Sequence, residues 1–216
     1  SQNVYFKGGT CAAMLGKLDR FSVDLDFDLK EKKNKEKLHA KLVHIFTNLG
    51  FEMKSKSQNE LFYVLKYSGR LKSRSNLKLS IVDSVYKSNI YTISYLSEID
   101  RYVACQSIET MFSHKLVSLT DRYHKHRTIA GRDLYDIHFF FLNGYEYIKE
   151  IVEDRMKKSV SDYLKELKNF IQKNITEKII VQDLNSLLAP EQFQRIKKTL
   201  KSETLIFIEN EIKHLG

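Results

Sequence analysis

The most constraining feature of this chain is a strand, a glycine turn and a helix in close succession near its start, followed by a strand carrying alternate aspartates. Val4-Tyr5-Phe6 reads as a short apolar strand, Gly8-Gly9 as the turn, and Thr10-Cys11-Ala12-Ala13-Met14-Leu15 as the start of a helix. Glycines accept left-handed backbone angles and let an anion approach closely, while the N–H groups of a first helical turn attract negative charge. Thr10 stands where a side chain caps the helix or touches phosphate. In Val23-Asp24-Leu25-Asp26-Phe27-Asp28, read as a strand, side chains alternate, so Val23, Leu25 and Phe27 share one face and Asp24, Asp26 and Asp28 the other.

Carboxylates two apart on a strand sit roughly 7 Å apart and repel by about 2 kcal/mol at an effective dielectric of ~20, a sign that a divalent cation reverses. Mg²⁺ suits such a site, because it takes one or two carboxylates and fills its other positions with water and phosphate oxygens. The segment lacks the Lys-Ser/Thr that follows the last glycine of a P-loop and the three spaced glycines of a dinucleotide fingerprint. What remains is phosphate held against metal-binding carboxylates, the arrangement nucleotidyl transfer requires.

With these residues in view, the chain resembles the nucleotidyltransferases of the polymerase β superfamily, and among them the AbiEii/AbiGii toxin family of bacterial toxin–antitoxin systems. Lys7-Gly8-Gly9-Thr10 followed by Arg20-Phe21-Ser22-Val23-Asp24-Leu25-Asp26 is similar to that family's first signature. Lys115-Leu116-Val117 with Arg122, then Arg132-Asp133-Leu134-Tyr135-Asp136-Ile137, is similar to its later Lys and Arg-Asp-x-x-Asp motifs. The resemblance spans residues 4–142. It implies Mg²⁺ (or Mn²⁺) on Asp24 and Asp26, a nucleoside triphosphate at Lys7, Gly8, Gly9, Thr10, Arg20 and Ser22, and Lys115 as a point charge for the triphosphate. It further implies Asp136 facing the reaction, with Arg132 or Asp133 orienting Lys115 or the substrate. Asp83 follows the alternation Leu77, Leu79, Ile81 to the end of its strand, where it is either a third metal carboxylate or a cap for the next turn.

The implied activity is transfer of a nucleotide to an RNA, such as a tRNA 3′ end, or to a protein, by a toxin paired with a cognate antitoxin. Two alternatives stay open: a phosphotransferase on the same scaffold, and a basic RNA- or protein-binding module without activity. The net charge of +9 suits a polyanion partner, with basic residues dense at Lys30-Glu31-Lys32-Lys33-Asn34-Lys35 and at Lys66, Arg70, Lys72, Arg74 and Lys78. Cys11 and Cys105 are isolated, without metal-ligand or disulfide-framework spacing, and read as reduced, buried thiols. No apolar run approaches ~20 residues and no signal-peptide pattern is present, so no membrane partner and a cytoplasmic location are expected. The chain opens on Ser1 without a methionine and its first strand begins almost at once, as in a chain from which upstream sequence has been removed.

The expected fold is α+β, a small mixed sheet with helices followed by a helical C-terminal half. Residues 1–105 are expected to form the nucleotidyltransferase core, and 106–216 a helical region completing the active-site cleft. Lys35 to Leu49 has helical periodicity and would cover the sheet. Leu61–Leu65, Leu77–Val82 and Tyr91–Leu96 read as strands, with Gly69 and residues 73–76 as turn material between the first two. From Ile108 the pattern is helical, and helices are expected at 148–156, 160–171, 183–188, 190–200 and 204–212, with Pro190 in a first turn. His124-Lys125-His126 is expected to be a basic loop and His138 a packing residue.

Overall fold

The computed structural model describes residues 3–56, 61–67 and 76–216. Gly69, Arg70, Lys72, Ser73, Arg74 and Ser75, read above as turn and basic-patch residues, lie outside them. The chain divides into two compact units, Ser1–Gly16 with Ser22–Gln106, and Lys17–Phe21 with Ser107–Gly216.

The first unit is the sheet. In chain order it contains β1 (Val4–Lys7), α1 (Gly8–Met14), β2 (Leu25–Leu29), α2 (Lys35–Asn48), β3 (Glu52–Lys56), β4 (Leu61–Lys66), β5 (Asn76–Val82), β6 (Tyr91–Leu96) and β7 (Arg101–Gln106). Spatially the strands run β3-β4-β5-β2-β1-β7-β6. The sheet is mixed: β1 is parallel to β7 and β2 to β5, and the other neighbours are antiparallel. Its register sets Lys7 opposite Asp26 and Tyr5 opposite Asp28.

Alternation gives the sheet two different faces. Leu29, Leu61, Tyr63, Leu65, Leu79 and Ile81 are buried with Leu38 and Phe46 of α2, so α2 covers the apolar face as its periodicity predicts. The opposite face carries Asp26, Asp28, Tyr5 and Lys7 on β2 and β1. The aspartate strand begins at Leu25 rather than Val23, because the Asp24 carbonyl accepts a hydrogen bond from Thr10 Oγ1 (2.5 Å). Two strands have weak signatures in sequence. β3 lies at the sheet edge, where nothing demands regular apolar alternation, and β7 passes from exposed residues at its start to residues buried on both faces at Cys105 and Gln106.

The second unit is helical: α3 (Ile108–His126), α4 (Gly131–Leu142), α5 (Lys149–Met156), α6 (Val160–Asn174), α7 (Glu177–Leu184) and α8 (Pro190–Leu215). Its core includes Phe112, Leu116, Leu119, Leu134, Ile137, Phe140, Ile151 and Leu164. Ser107 caps α3, its side chain accepting from the Thr110 N–H. A side chain at Gly131 would lie 2.9 Å from the Ile179 carbonyl, so glycine is what lets α4 start against α7. Three expectations are corrected. The helices proposed at 190–200 and 204–212 are one, since Lys201-Ser202-Glu203 holds no breaker and Thr204 bonds back to the Leu200 carbonyl (2.7 Å). The helix expected at 183–188 instead starts at the Thr176 cap and ends at Leu184. His124-Lys125-His126 is the last turn of α3 rather than a loop, and basic side chains there complement the helix dipole. His138 is buried as expected, but also lies 2.7 Å from the Glu203 carboxylate.

Leu65 is fully buried and Ile93 is 78 % exposed. Urea denaturation should find Leu65→Ala destabilised by about 2–5 kcal/mol and Ile93→Ala changed by less than about 0.5 kcal/mol.

Candidate active site

The polar face of the sheet is organised by the junction of β1 and α1. Gly8 and Gly9 are themselves the first residues of α1, so the turn and the helix start coincide. Gly8 has φ +78°, and a Cβ built there would lie 2.8 Å from Asp26 Oδ2. Glycine is therefore required twice, for the left-handed backbone and for room beside the carboxylate. Thr10 neither caps α1 nor points outward. Its hydroxyl donates to the Asp24 carbonyl and lies 2.9 Å from Ser22 Oγ, so both hydroxyls fasten the segment that delivers Asp24 and Asp26. Asp24 and Asp26 are both half-buried.

The three aspartates that alternation groups together divide into two kinds. Asp28 is 1 % exposed and enclosed. Lys7 Nζ donates to its Oδ1 (2.6 Å), while Gln106 Nε2 (2.6 Å) and Tyr91 OH (2.8 Å) donate to Oδ2. Burial and the Asp28 carboxylate push the Tyr91 phenol above its usual range, keeping it a donor. Lys7, expected at the nucleotide, is thus committed to Asp28. Tyr91 and Gln106 carry no motif signal, and only the register of β6 and β7 against β1 reveals them.

Asp83 is not brought to the other carboxylates. Asp26 pairs with Ser80 and Asp28 with Val82 across the parallel β2–β5 ladder, which sets Asp83 three residues, about 10 Å, beyond the Asp26 row. It also continues the Leu79–Ile81 phase, toward the apolar face. There Lys35 Nζ donates to it (2.7 Å), and this bond, with Lys32 nearby, holds the Asp83 carboxyl below its usual range. An aspartate in phase with a buried face finds a lysine of the covering helix, which is why the third-carboxylate expectation fails.

The second motif block forms an ion cluster within the helical unit. Lys115 on α3 donates to Asp133 Oδ1 (2.9 Å) and lies 2.8 Å from Asp136 Oδ2. Arg20 grips Asp136 with two nitrogens, Nε to Oδ1 (2.5 Å) and Nη2 to Oδ2 (2.7 Å), and Arg122 Nε donates to Asp133 Oδ2 (3.1 Å). Both aspartates on α4 are fully buried, where desolvating a carboxylate costs several kcal/mol, and each is met by two cations. For Asp133 burial raises the pKa, but Lys115 and Arg122 outweigh it and bring it down to about 2. Burial opposes the Lys115 charge, yet Asp133 and Asp136 together hold its pKa above the usual lysine range. Lys115 is consequently a fixed cation with a side chain 19 % exposed.

Here too the sequence roles change. Asp136, expected to face the reaction, is closed off and positions Arg20 and Lys115. Asp133 does orient Lys115, and Arg132, half-buried on the same helix, adds favourable charge toward Asp133. The Arg20 segment is fixed on both sides: Phe21 N–H donates to the Leu187 carbonyl (2.8 Å), and Asp19 accepts from Tyr135 OH and Gln192 Nε2, each at 2.6 Å. The Asp19 contacts are invisible in sequence because Gln192 lies so far along the chain.

Residues 1–207 match the family described as nucleotidyl transferase AbiEii toxin, type IV toxin–antitoxin system, and the chain belongs to that family. It is therefore a nucleotidyltransferase. Among curated protein sequences none matches it. Several solved structures share its fold. JHP933 from Helicobacter pylori superposes with a TM-score of 0.59 at 21% identity, covering 99% of this chain and 85% of that one. MenT4, a nucleotidyltransferase toxin from Mycobacterium tuberculosis H37Rv, gives 0.54 at 15% identity over 96% of this chain and 75% of that one. An antigenic nucleotidyltransferase-like protein from Paracoccidioides brasiliensis gives 0.50 at 16% identity over 89% and 88%. No helix among the described residues is long and apolar enough to cross a membrane.

Because its folded-state pKa is depressed, Asp133 contributes stability that is present above about pH 4 and lost as pH falls toward 2. The difference from the ordinary carboxylate value amounts to about 2 kcal/mol. Urea midpoints of wild type and Asp133→Asn, compared between pH 7 and pH 2.5, should converge at the acid end. Asp136→Ala, which leaves the buried Arg20 without its carboxylate and Lys115 with Asp133 alone, should cost about 3–5 kcal/mol at pH 7.

Proposed function

We propose that this nucleotidyltransferase transfers a nucleoside monophosphate from a triphosphate to an RNA acceptor, acting as a cytoplasmic toxin restrained by a cognate antitoxin. The observation that carries the reading is the placement of Asp26 against the side-chain-free Gly8, with Asp24 presented just before β2 by a carbonyl pinned to Thr10. Hard oxygen donors on a short, braced segment fit Mg²⁺ or Mn²⁺, and Asp24 and Asp26 are the residues that would hold it. When bound, such an ion neutralises the α-phosphate and stabilises the attacking and leaving oxygens.

The chain's own residues supply the rest. The open backbone at Gly8 and Gly9 admits the triphosphate to the start of α1, and the Thr10–Ser22 brace keeps the two carboxylates from separating as charge builds. An acceptor hydroxyl attacks the α-phosphorus in line and pyrophosphate leaves, so positioning and fixed charge do most of the catalytic work. Lys115, kept protonated by Asp133 and Asp136, is a permanent positive charge of the helical unit. Asp28, enclosed by Lys7, Tyr91 and Gln106, holds β1, β6 and β7 in register and takes no part in the chemistry.

With Mg²⁺, α-labelled nucleoside triphosphates and total bacterial RNA, label should enter RNA. In Asp26→Asn it should fall by at least about a hundredfold, the equivalent of several kcal/mol of lost charge stabilisation, with the urea midpoint little changed. Label in protein would move the acceptor from RNA to a polypeptide. Incorporation only from γ-labelled ATP would replace nucleotidyl transfer with phosphotransfer.

A further inference from the structure

Register places one more cation beside the carboxylate pair. The parallel β2–β5 ladder sets Leu25 opposite Leu79 and Asp26 opposite Ser80, so Lys78 stands next to the chain at Asp24. Leu25, Phe27, Leu79 and Ile81 pack in the apolar core, and alternation therefore puts Ser80 and Lys78 on the other face, with Asp26. Counting one strand across and two residues along, the Lys78 and Asp26 backbones lie about 8 Å apart.

Lys78 is exposed, and its neighbours on that face are uncharged: Asn76 and Ser80 along β5 and Val64 across on β4. Two other lysines of the same face are committed, Lys7 to Asp28 (2.6 Å) and Lys66 to Glu52 (3.4 Å). Lys78 makes no ion pair or hydrogen bond among the described residues. Across the ladder, the acidic residues nearest to it are Asp24 and Asp26.

The strand order fixes what lies on either side of these carboxylates. Because β2 runs between β1 and β5, the start of α1 is on one side and Lys78 on the other. A lone divalent cation at Asp24 and Asp26 is repelled by this ammonium, whereas its complex with a triphosphate remains negative and is attracted. We propose that Lys78 binds the triphosphate from the β5 side and thereby makes metal binding depend on nucleotide: it opposes the bare ion and favours the ion that arrives with phosphate. This inference rests on the reading of Asp24 and Asp26 as the metal carboxylates.

The test needs no turnover. Mn²⁺ binding is followed by loss of the free-ion electron paramagnetic resonance signal at low salt, and the magnesium complex of inorganic tripolyphosphate is titrated by calorimetry. Both are applied to wild type, Lys78→Gln, Lys78→Arg, Asp26→Asn and Lys41→Gln, the last an exposed lysine of α2, which covers the opposite face. Lys78→Gln should bind Mn²⁺ alone about threefold tighter or more, a difference that disappears at about 1 M salt. The same variant should bind the tripolyphosphate complex about tenfold more weakly. Lys78→Arg should keep both wild-type affinities within about threefold, since the charge is retained, and Lys41→Gln should change neither. Opposite shifts in one variant separate a charge facing the ligands from a structural defect, which weakens both. If Asp26→Asn loses Mn²⁺ while Lys78→Gln leaves both affinities unchanged, or moves them in the same direction, the proposal is overturned and the metal reading stands. If Asp26→Asn binds Mn²⁺ as wild type does, or wild type binds none, the metal reading falls and this proposal with it.

Discussion

The approach of Gly8 to the Asp26 carboxylate is the contact on which the candidate site depends. An added Cβ would stand 2.8 Å from Oδ2, well inside van der Waals distance, and the backbone at φ +78° disfavours any L side chain besides. Because β1 and β2 are hydrogen-bonded neighbours with Lys7 opposite Asp26, the start of α1 cannot move away from the carboxylate without breaking the ladder. The helix start, the glycine and the aspartate are thus fixed by the sheet rather than by a mobile loop. The Thr10 bond to the Asp24 carbonyl extends the same constraint one step upstream, to the other carboxylate.

A second principle recurs in both units: buried charge is used to hold geometry. Asp28, Asp133 and Asp136 are all essentially inaccessible, and each is met by at least two donors. Removing one partner from such a group is expensive, so these aspartates fix strand register in one unit and the Arg20–Lys115–Arg122 cations in the other. Asp24, Asp26 and Lys115 retain some exposure, as do Lys7, Arg122 and Arg132.

Much of this was legible in sequence because motif order and hydrophobic period are local. The strand–glycine–helix start, the aspartate strand, α2 and its sheet-covering face, and β4, β5 and β6 all follow from residues within a few positions of one another. What sequence could not supply was the division of labour among like residues. Alternation grouped Asp28 with Asp24 and Asp26, but Tyr91 and Gln106, brought in by the pairing of distant strands, enclose it. Alternation also drew Asp83 toward the metal, whereas parallel register carries it about 10 Å past Asp26 and Lys35 takes it. Asp136, which its motif sets facing the reaction, is held by a two-nitrogen bond from Arg20, more than a hundred residues away, and no local pattern reveals that partner.

The most direct measurement of the central claim is Mn²⁺ affinity, followed by the loss of the free-ion electron paramagnetic resonance signal, in wild type and Gly8→Ala, with the urea midpoint as the control for folding. The account predicts that the alanine methyl displaces the Asp26 carboxylate and weakens Mn²⁺ binding at least tenfold, while the strained backbone lowers stability by only about 1–2 kcal/mol. If Gly8→Ala folds and binds Mn²⁺ as wild type does, the Gly8–Asp26 contact does not set the position of the metal carboxylate, and the site as described here is wrong.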